Sequence, residues 1–312
     1  GMSLAQLLFT PLYRLNPKTP VNPLFLFNLY KNDSIPGYAL QDRPYTLLGI
    51  PEEKKVAIAT VPAVNYYGGV LAFFNEETRE REVFWNVIED QSIVALVYKD
   101  GLLYGSTSVR PGYNTPARAE EAKLFIWDMK TNKVIYETIP IPGKKDITAL
   151  IEGPDGNLWG FANNTFFIFD IDTRKVIYQE ETTLPSLYVN WRDYSLLVGV
   201  DGNVYGTNAA GRQLFRIDAE TKEIKVILDE AGPYLTQDDF GNLYFVKDEK
   251  LYRYSHDKLF AEPKAIELKV PTNTLEDGES IPIDAVARLD KNRRIENMNL
   301  SGVKPVYTST NP

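Results

Sequence analysis

The stretch DGNLWGFANNTFFIFDIDTRKVIY, Asp155–Tyr178, decides how the rest of the chain is interpreted. It opens with the turn Asp155-Gly156-Asn157, followed by a short strand that ends in an aromatic residue and a glycine. A second strand follows at Phe166–Asp170, and after a polar turn a third strand occupies Lys175–Tyr178. Apolar side chains occupy both faces of Phe166–Ile171, which favours a strand packed between two neighbouring sheets.

The same pattern occurs four more times along the chain. It begins again at Asp100, at Asp201 and, in shorter form, at Gly241, and a degenerate first copy begins at Lys55. The turn glycines of the clear copies are 55, 46 and 39 residues apart. Repeats of this length that are built from short strands are typical of β-propellers. We therefore predict an all-β fold, with a β-propeller over residues 5–262 that has five visible repeats and six blades on closure.

The chain opens in the middle of a repeat, because residues 12–19 closely match residues 214–221, which form a third strand and its turn. Two explanations are open. The sequence is cut from a longer array, or its opening strands complete the last blade and so close the ring without leaving an open edge. An irregular N-terminal arm is the remaining alternative.

The composition excludes several classes of function. The 312 residues include no cysteine, which excludes a disulfide framework, a thiolate metal site and a cysteine nucleophile. The net charge of −8 and the lack of a basic run argue against a nucleic-acid partner. No apolar run approaches the roughly 18 residues that span a bilayer, so we expect no membrane insertion. We expect a monomer with no cofactor.

The blades at residues 92–256 resemble those of bacterial secreted or surface propeller proteins, whose repeat reads Asp-Gly-x-Leu-Tyr-Gly followed by Leu-Phe-x-x-Asp-x-x-Thr-x-Lys-Val. Virginiamycin-lyase-like and gluconolactonase-like propellers are the enzymes that this resemblance brings into consideration. It implies an extracellular or cell-surface location. It is specific for the fold and weak for function, since such blades carry enzymes and inert binding surfaces alike.

Residues 263–312 resemble the first two-thirds of a bacterial Ig-like domain of the second group. The matching features are Gly278-Glu279 after a first strand, an alanine-rich second strand that ends at Asp290, and the final run Tyr307–Pro312. The last strands of that family are missing, so the resemblance implies a partial β-sandwich segment. A rival interpretation keeps residues 265–289 in the propeller as strands of another blade.

Catalytic motifs are absent from the sequence. The single histidine, His256, is expected in an exposed turn at the end of an outer strand, which argues against a histidine base near the axis. The carboxylates Asp128, Asp170 and Asp218 recur at the end of each third strand. A site is used once but a turn recurs in every blade, so these three are predicted to hold Asx-type turns.

A lactonase-type site would need carboxylate and amide oxygens that converge on a divalent cation such as calcium. Asn163, Asn208 and Asp248 each follow a second strand, and the loops there emerge on the same face as the loops that lead into the inner strands. They are the metal-ligand candidates of a metal-dependent hydrolase or lyase. The alternative is that they serve as turn residues, because Asn tolerates a left-handed backbone.

Aromatic side chains that are expected to be exposed, together with arginine, give a stronger signal for a binding face. The loop Ser108–Ala122 is longer than the usual 4–6 residues or so, and long loops are often functional. With the neighbouring loops it carries the ligand-binding candidates Tyr66, Tyr67, Arg110, Tyr113, Arg118, Trp191 and Arg192. Tyrosine and tryptophan combine an apolar ring with a polar edge, which suits stacking on sugars. The sequence thus favours a non-enzymatic binding or scaffold module for carbohydrate or protein, with the metal-dependent enzyme as the alternative.

Overall fold

The computed structural model describes residues 10–14, 24–29, 40–75, 77–187, 191, 193–238, 241–254, 265–269, 284–288 and 294–295. Within these ranges the fold is all-β, and the only helical element is a single 3-10 turn at Pro51–Glu53. The chain begins with a hairpin of β1 (Thr10–Arg14) and β2 (Leu24–Leu29). Five larger antiparallel sheets follow in chain order.

The first three of these sheets have four strands each, in which every strand pairs with the next along the chain. The first consists of β3 (Gln41–Ile50), β4 (Lys55–Pro62), β5 (Val70–Asn75) and β6 (Arg81–Trp85). The second consists of β7 (Ser92–Lys99), β8 (Leu102–Ser108), β9 (Leu124–Asp128) and β10 (Lys133–Thr138). The third consists of β11 (Ile147–Glu152), β12 (Leu158–Ala162), β13 (Thr165–Asp170) and β14 (Lys175–Glu181).

The last two sheets follow the same order, and the fifth is described with three strands. The fourth consists of β15 (Tyr194–Val198), β16 (Val204–Asn208), β17 (Gln213–Ile217) and β18 (Ile224–Leu228). The fifth consists of β19 (Leu235–Gln237), β20 (Leu243–Lys247) and β21 (Lys250–Tyr254). The first strands contact one another in the series β3, β7, β11, β15 and β19, so they surround a common axis. The protein is a five-bladed β-propeller over these residues, which confirms the five repeats; a sixth blade stays a prediction.

The core lies between the blades rather than inside any one of them. Separate apolar clusters join blades one and two, two and three, three and four, and four and five. Phe125, Phe167 and Phe215, at one equivalent position in the third strands, have no exposed surface. Burial of such a ring stabilises the fold by about 1.5–3 kcal/mol. A single blade could not bury either of its apolar faces, so the blades stabilise one another by packing face to face.

The repeated Tyr-Gly and Phe pattern has a direct packing reason. Gly206 in β16 pairs across the ladder with Phe215 in β17, and a Cβ atom built on Gly206 would lie 2.4 Å from the Phe215 ring. Gly160 stands in the same relation to Phe167, with a closest approach of 2.8 Å. The ring covers the backbone of the glycine opposite, a cross-strand arrangement that pins register.

The hairpin of β1 and β2 has the pairing of a third and a fourth strand. Its register shifts by one residue between Leu12 and Tyr13. The pairing of β17 with β18 shifts between Leu214 and Phe215, the residues that match Leu12 and Tyr13 in sequence. β1 also lies against β3. The hairpin thus has the register of a third and a fourth strand, and its place in a blade stays a prediction.

Three further strands are described near the end of the chain. β22 (Ala265–Lys269), β23 (Asp284–Arg288) and β24 (Arg294–Ile295) form an antiparallel sheet in chain order. The strands expected at residues 265–270 and within 281–289 are therefore present. The Ig-like assignment, the rival blade and the boundary at residue 263 stay predictions, and the final run at residues 306–312 lies outside the described residues.

Candidate functional site

Two loops from neighbouring blades join to form the face that the sequence singled out. The long loop after β8, residues 109–123, lies against the loop after β4, residues 63–69. The backbone N–H of Asn65 donates to the Tyr113 carbonyl at 3.0 Å, and the backbone N–H of Gly112 donates to the Tyr66 carbonyl at 2.9 Å. A Cβ atom on Gly112 would lie 1.7 Å from the Ala63 carbonyl oxygen, so only glycine allows this close approach. The long loop is thus fixed to its neighbour by backbone contacts.

Tyr67 and Arg118 stabilise the far end of the long loop. The Tyr67 hydroxyl donates to the Pro116 carbonyl at 3.1 Å, and the Arg118 guanidinium lies 3.8 Å from the centre of the Tyr67 ring. Arg118 also forms an ion pair with Asp90 at 3.6 Å. Tyr67 is buried, which differs from the exposed aromatic that the sequence suggested. Its ring is used inside the protein, because the long loop folds back over it.

Trp191 reaches across the propeller axis. It belongs to the segment that leads into β15 of the fourth blade, yet it packs on Val61 of the first blade and Val94 of the second. Its indole N–H donates to the Arg110 carbonyl at 3.1 Å, and only 5% of the residue is exposed. The expectation of an exposed Trp191 ring is therefore wrong. A sequence does not show that a loop crosses to the opposite side of a ring.

An exposed aromatic ring stands on this buried tryptophan. The ring of Tyr113 lies edge-on to that of Trp191, with 5.2 Å between ring centres, and 57% of Tyr113 is exposed. The guanidinium of Arg43, from β3, lies 4.8 Å from the centre of the Tyr113 ring and 5.7 Å from that of Trp191. We call Arg43, Tyr113 and Trp191 the aromatic platform. Arg43 was missed from the sequence because it lies within a strand, distant along the chain from both aromatic residues.

Arg110 is fixed beneath the aromatic platform by a buried carboxylate. Its Nε donates to Oδ1 and Oδ2 of Asp146 at 3.0 and 3.1 Å, and its Nη2 lies 3.0 Å from Oδ2. Ser108 Oγ and Asn163 Nδ2 also donate to this carboxylate, at 2.6 and 3.1 Å. Burial raises the pKa of Asp146, although the hydrogen bond from Ser108 and the charge of Arg110 oppose the rise. The pair therefore holds the Arg110 side chain in one orientation.

Asp193 is a second buried carboxylate, placed directly before β15 as Asp146 is placed directly before β11. Its Oδ2 accepts from Ser186 Oγ and, at 2.8 Å, from the Leu187 amide. Its Oδ1 has no hydrogen-bond partner among the described residues, and only 2% of Asp193 is exposed. Burial raises the pKa of Asp193, whereas the hydrogen bonds from Ser186 and the Leu187 amide oppose the rise; the charge of Asp146 adds to it and that of Arg110 opposes it. Each of these aspartates stands immediately before an inner strand, but that position alone gives no indication of burial.

The three metal-ligand candidates lie in three different blades, and one side-chain oxygen of each already accepts a hydrogen bond. Asn163 Oδ1 accepts from the Lys145 amide at 2.9 Å, and Asn163 has a left-handed backbone with φ of 48°. Asn208 Oδ1 accepts from the amides of Gly211 and Gln213, each at 3.1 Å. Asp248 Oδ1 accepts from Arg212 at 3.0 Å. These contacts fit turn residues better than calcium ligands, and the metal assignment stays a prediction.

The described part of the chain contains no cluster of three or more His, Cys, Asp or Glu side chains suited to a metal ion, and no helix in it is long and apolar enough to span a bilayer. Tyr66 is half-buried and contributes its backbone to the loop contact. Arg192 and His256 lie outside the described residues. The ligand-binding role of the aromatic and arginine candidates stays a prediction.

The recurrent carboxylates have the turn role that the sequence predicts. Asp128 accepts from the Lys130 amide at 2.8 Å, and Asp170 from the Thr173 amide at 2.7 Å. Asp218 accepts from the Glu220 and Thr221 amides at 3.1 and 3.0 Å. Backbone hydrogen bonds lower the pKa of all three carboxyl groups. These residues are therefore structural and belong to the face opposite the aromatic platform.

Comparisons with known proteins support the fold. No family model matches the chain, and no curated protein matches it. A chain of the crystal structure of the mitotic checkpoint complex is similar, with a TM-score of 0.52 and 10% identity over 80% of this chain and 73% of that one. A streptogramin B lyase structure is similar with a TM-score of 0.51 and 17% identity, over 76% of this chain and 75% of that one. The Dos1 propeller structure is similar with a TM-score of 0.55 and 12% identity, over 80% of this chain and 63% of that one. At such identities the likeness shows a shared propeller fold alone.

Proposed function

We propose that this chain is a non-enzymatic binding or scaffold module of a secreted or cell-surface bacterial protein, and that it presents the aromatic platform to a carbohydrate or protein ligand. The observation that carries the proposal is the placement of Tyr113. More than half of Tyr113 is exposed, and its ring contacts a buried tryptophan and an arginine. An exposed ring held in one orientation loses little conformational entropy on binding.

The composition of the platform matches that of binding sites more closely than that of catalytic sites. Tyrosine, tryptophan and arginine are the residues most enriched at energetically important positions of protein interfaces, and aromatic rings also stack on sugars. Arg110 is held by Asp146 through both Nε and Nη2, so its orientation is fixed before any ligand arrives. The described residues of the platform supply no nucleophile with an adjacent base.

A glycan array probed with the intact protein tests the proposal. We expect binding to a defined glycan class, and a Tyr113→Ala variant should lose it. Ile177→Ala is the control, because Ile177 is 56% exposed but lies in β14, the outer strand of the third blade. Equal loss in both variants would contradict the role of the platform. If no glycan binds, cross-linking at position 113 should identify a protein ligand that Tyr113→Ala loses.

The alternative is a metal-dependent hydrolase or lyase that acts at the propeller centre. One observation favours it: the likeness in fold to a streptogramin B lyase structure. Against it stand the hydrogen bonds that occupy Asn163, Asn208 and Asp248. A calcium titration followed by thermal unfolding separates the two functions, because a ligand that binds only the native state raises the melting temperature. No rise at millimolar calcium would argue against the enzyme.

A further inference from the structure

Asp193 holds the segment that carries Trp191 at two points. Its carboxylate accepts from Ser186 Oγ and from the Leu187 amide, at the start of that segment. Its own carbonyl accepts from the Ala209 amide at 2.7 Å, which anchors the segment's end to the loop after β16. Trp191 lies between these two anchors. The position of the tryptophan therefore depends on the hydrogen bonds that Asp193 forms with Ser186, Leu187 and Ala209.

The charges around Asp193 do not balance. Every oxygen of Asp146 is supplied with donors from Ser108, Arg110 and Asn163. Asp193 is equally buried, but its Oδ1 receives no hydrogen bond from the described residues. The charged groups that act on it in this part of the chain are Asp146, which repels its negative charge, and Arg110, which attracts it but is bound to Asp146. A buried ion with an unsatisfied oxygen is costly, whereas the protonated acid is much less so.

We propose that Asp193 is a proton-linked switch for the aromatic platform: the protonated acid holds Trp191 across the axis, and the ionised carboxylate loosens it. The consequence for a ligand at Tyr113 rests on the proposed function, since Tyr113 stands edge-on against Trp191. The switch itself is a property of the protein without any ligand. Lowering the pH should tighten the platform, and raising the pH should weaken it.

The direction of the pH effect follows from the linkage between protonation of Asp193 and stability. Burial raises the pKa of Asp193 above its unfolded value, which is about 3.9 for an ordinary aspartate. The native state therefore keeps a proton that the unfolded or locally opened state would lose. The stability from this proton is fully present below the unfolded pKa and is lost as the pH rises through the folded pKa. The exposed turn carboxylates, whose pKa values are lowered, change stability in the opposite direction.

Amide hydrogen exchange tests the switch directly. The reporters are the Leu187 and Ala209 amides, which donate to the side chain and the carbonyl of Asp193. After correction for intrinsic exchange, we expect their protection in the wild-type protein to be lower at about pH 8 than at about pH 4, because the stability from the proton is lost as the pH rises through the folded pKa. Asp193→Asn removes the charge but keeps an oxygen for Ser186 and Leu187. It should show the same protection at both pH values and a higher melting temperature than wild type at about pH 8.

The control is Asp128→Asn, which alters an exposed carboxylate in an outer turn. It should leave the pH dependence at Leu187 and Ala209 unchanged. Equal protection of the wild-type amides at both pH values would overturn the proposal, as would an unchanged pH dependence in Asp193→Asn. Restoration of protection by calcium at about pH 8 would also overturn it, because a cation would then be the partner of Asp193. Each result is obtained without a glycan, so failure of the switch and failure of the binding function are distinguishable.

Discussion

Phe215 lies directly over the backbone of Gly206, its cross-strand partner, with 2.4 Å between its ring and the position that a Cβ atom on Gly206 would take. The same relation joins Gly160 to Phe167 in the third blade. In the fifth blade Phe245 occupies the glycine position and stacks on Tyr252 instead, with 5.7 Å between ring centres. In all three blades, an aromatic ring of the third strand thus lies across from a glycine or another aromatic residue of the second strand.

Gly206→Ala should lower the free energy of unfolding by about 1–3 kcal/mol, because the new methyl group must displace a ring that is fully buried. Urea unfolding measures the change. Gly49→Ala is the control, since Gly49 lies in β3 with no atom within 4 Å of its Cβ position. A Gly206→Ala variant as stable as Gly49→Ala would show that the ring moves aside without cost.

Asp146→Ala should destabilise the protein by about 3–5 kcal/mol, because it leaves Arg110 without its buried partner. Arg110→Met should also destabilise the protein, because it leaves the Asp146 carboxylate, of which only 1% is exposed, without its cation. The double variant Asp146→Ala with Arg110→Met should recover part of the loss. Additive losses in the double variant, measured by urea unfolding, would show that the ion pair has no coupling energy.

The turn carboxylates predict a pH effect of opposite sign to that of Asp193. Backbone hydrogen bonds lower the pKa of Asp128, Asp170 and Asp218, so their stabilisation is present above the unfolded pKa and is lost as the pH falls through the folded pKa. Replacing all three by alanine should lower the melting temperature at neutral pH and leave it unchanged in strong acid. A variant with Glu120, Glu223 and Glu249 changed to Gln removes equal charge from exposed positions. If both variants behave alike, net charge rather than the turns explains the effect.

The repeats were visible in the sequence because each blade solves the same packing problem with the same residues. The turn glycines, the Gly–Phe pair and the turn aspartates all act within one blade, so local spacing is enough to predict them. The pairing of β1 with β2 was predictable for the same reason, from the match of residues 12–19 with 214–221.

The candidate site was predicted only in part, because it is built between blades. Tyr113, Arg110 and the long loop were found from residue type and loop length. Trp191 was placed on the correct face but with the wrong exposure, since its burial depends on Val61 and Val94 of two other blades. Asp146 and Asp193 were missed because a single aspartate before a strand gives no indication of burial. Their partners are distant in sequence, such as Ser108 for Asp146.

Trp191→Ala should lower the free energy of unfolding by about 3–5 kcal/mol, because it leaves a cavity where the indole packs on the inner strands. Trp191→Phe keeps most of the volume but loses the hydrogen bond to the Arg110 carbonyl, at a cost of about 1 kcal/mol beyond the volume change. Urea unfolding of both variants measures the difference. Equal stability of Trp191→Ala and wild type would contradict the crossing of the axis.

Gly112→Ala should detach the long loop from the first blade while leaving the blades intact. The new Cβ atom cannot stand 1.7 Å from the Ala63 carbonyl oxygen, so the loop must shift, and the hydrogen bond from the Asn65 amide to the Tyr113 carbonyl must break. Hydrogen exchange at the Asn65 amide should accelerate, whereas amides of β12 should keep their protection. The Gly49→Ala variant should show neither change. Because Tyr113 would leave Trp191, Gly112→Ala should lose ligand binding as Tyr113→Ala does, although the tyrosine is still present. Retention of both Asn65 protection and binding would show that the backbone contact between the two loops does not position the platform.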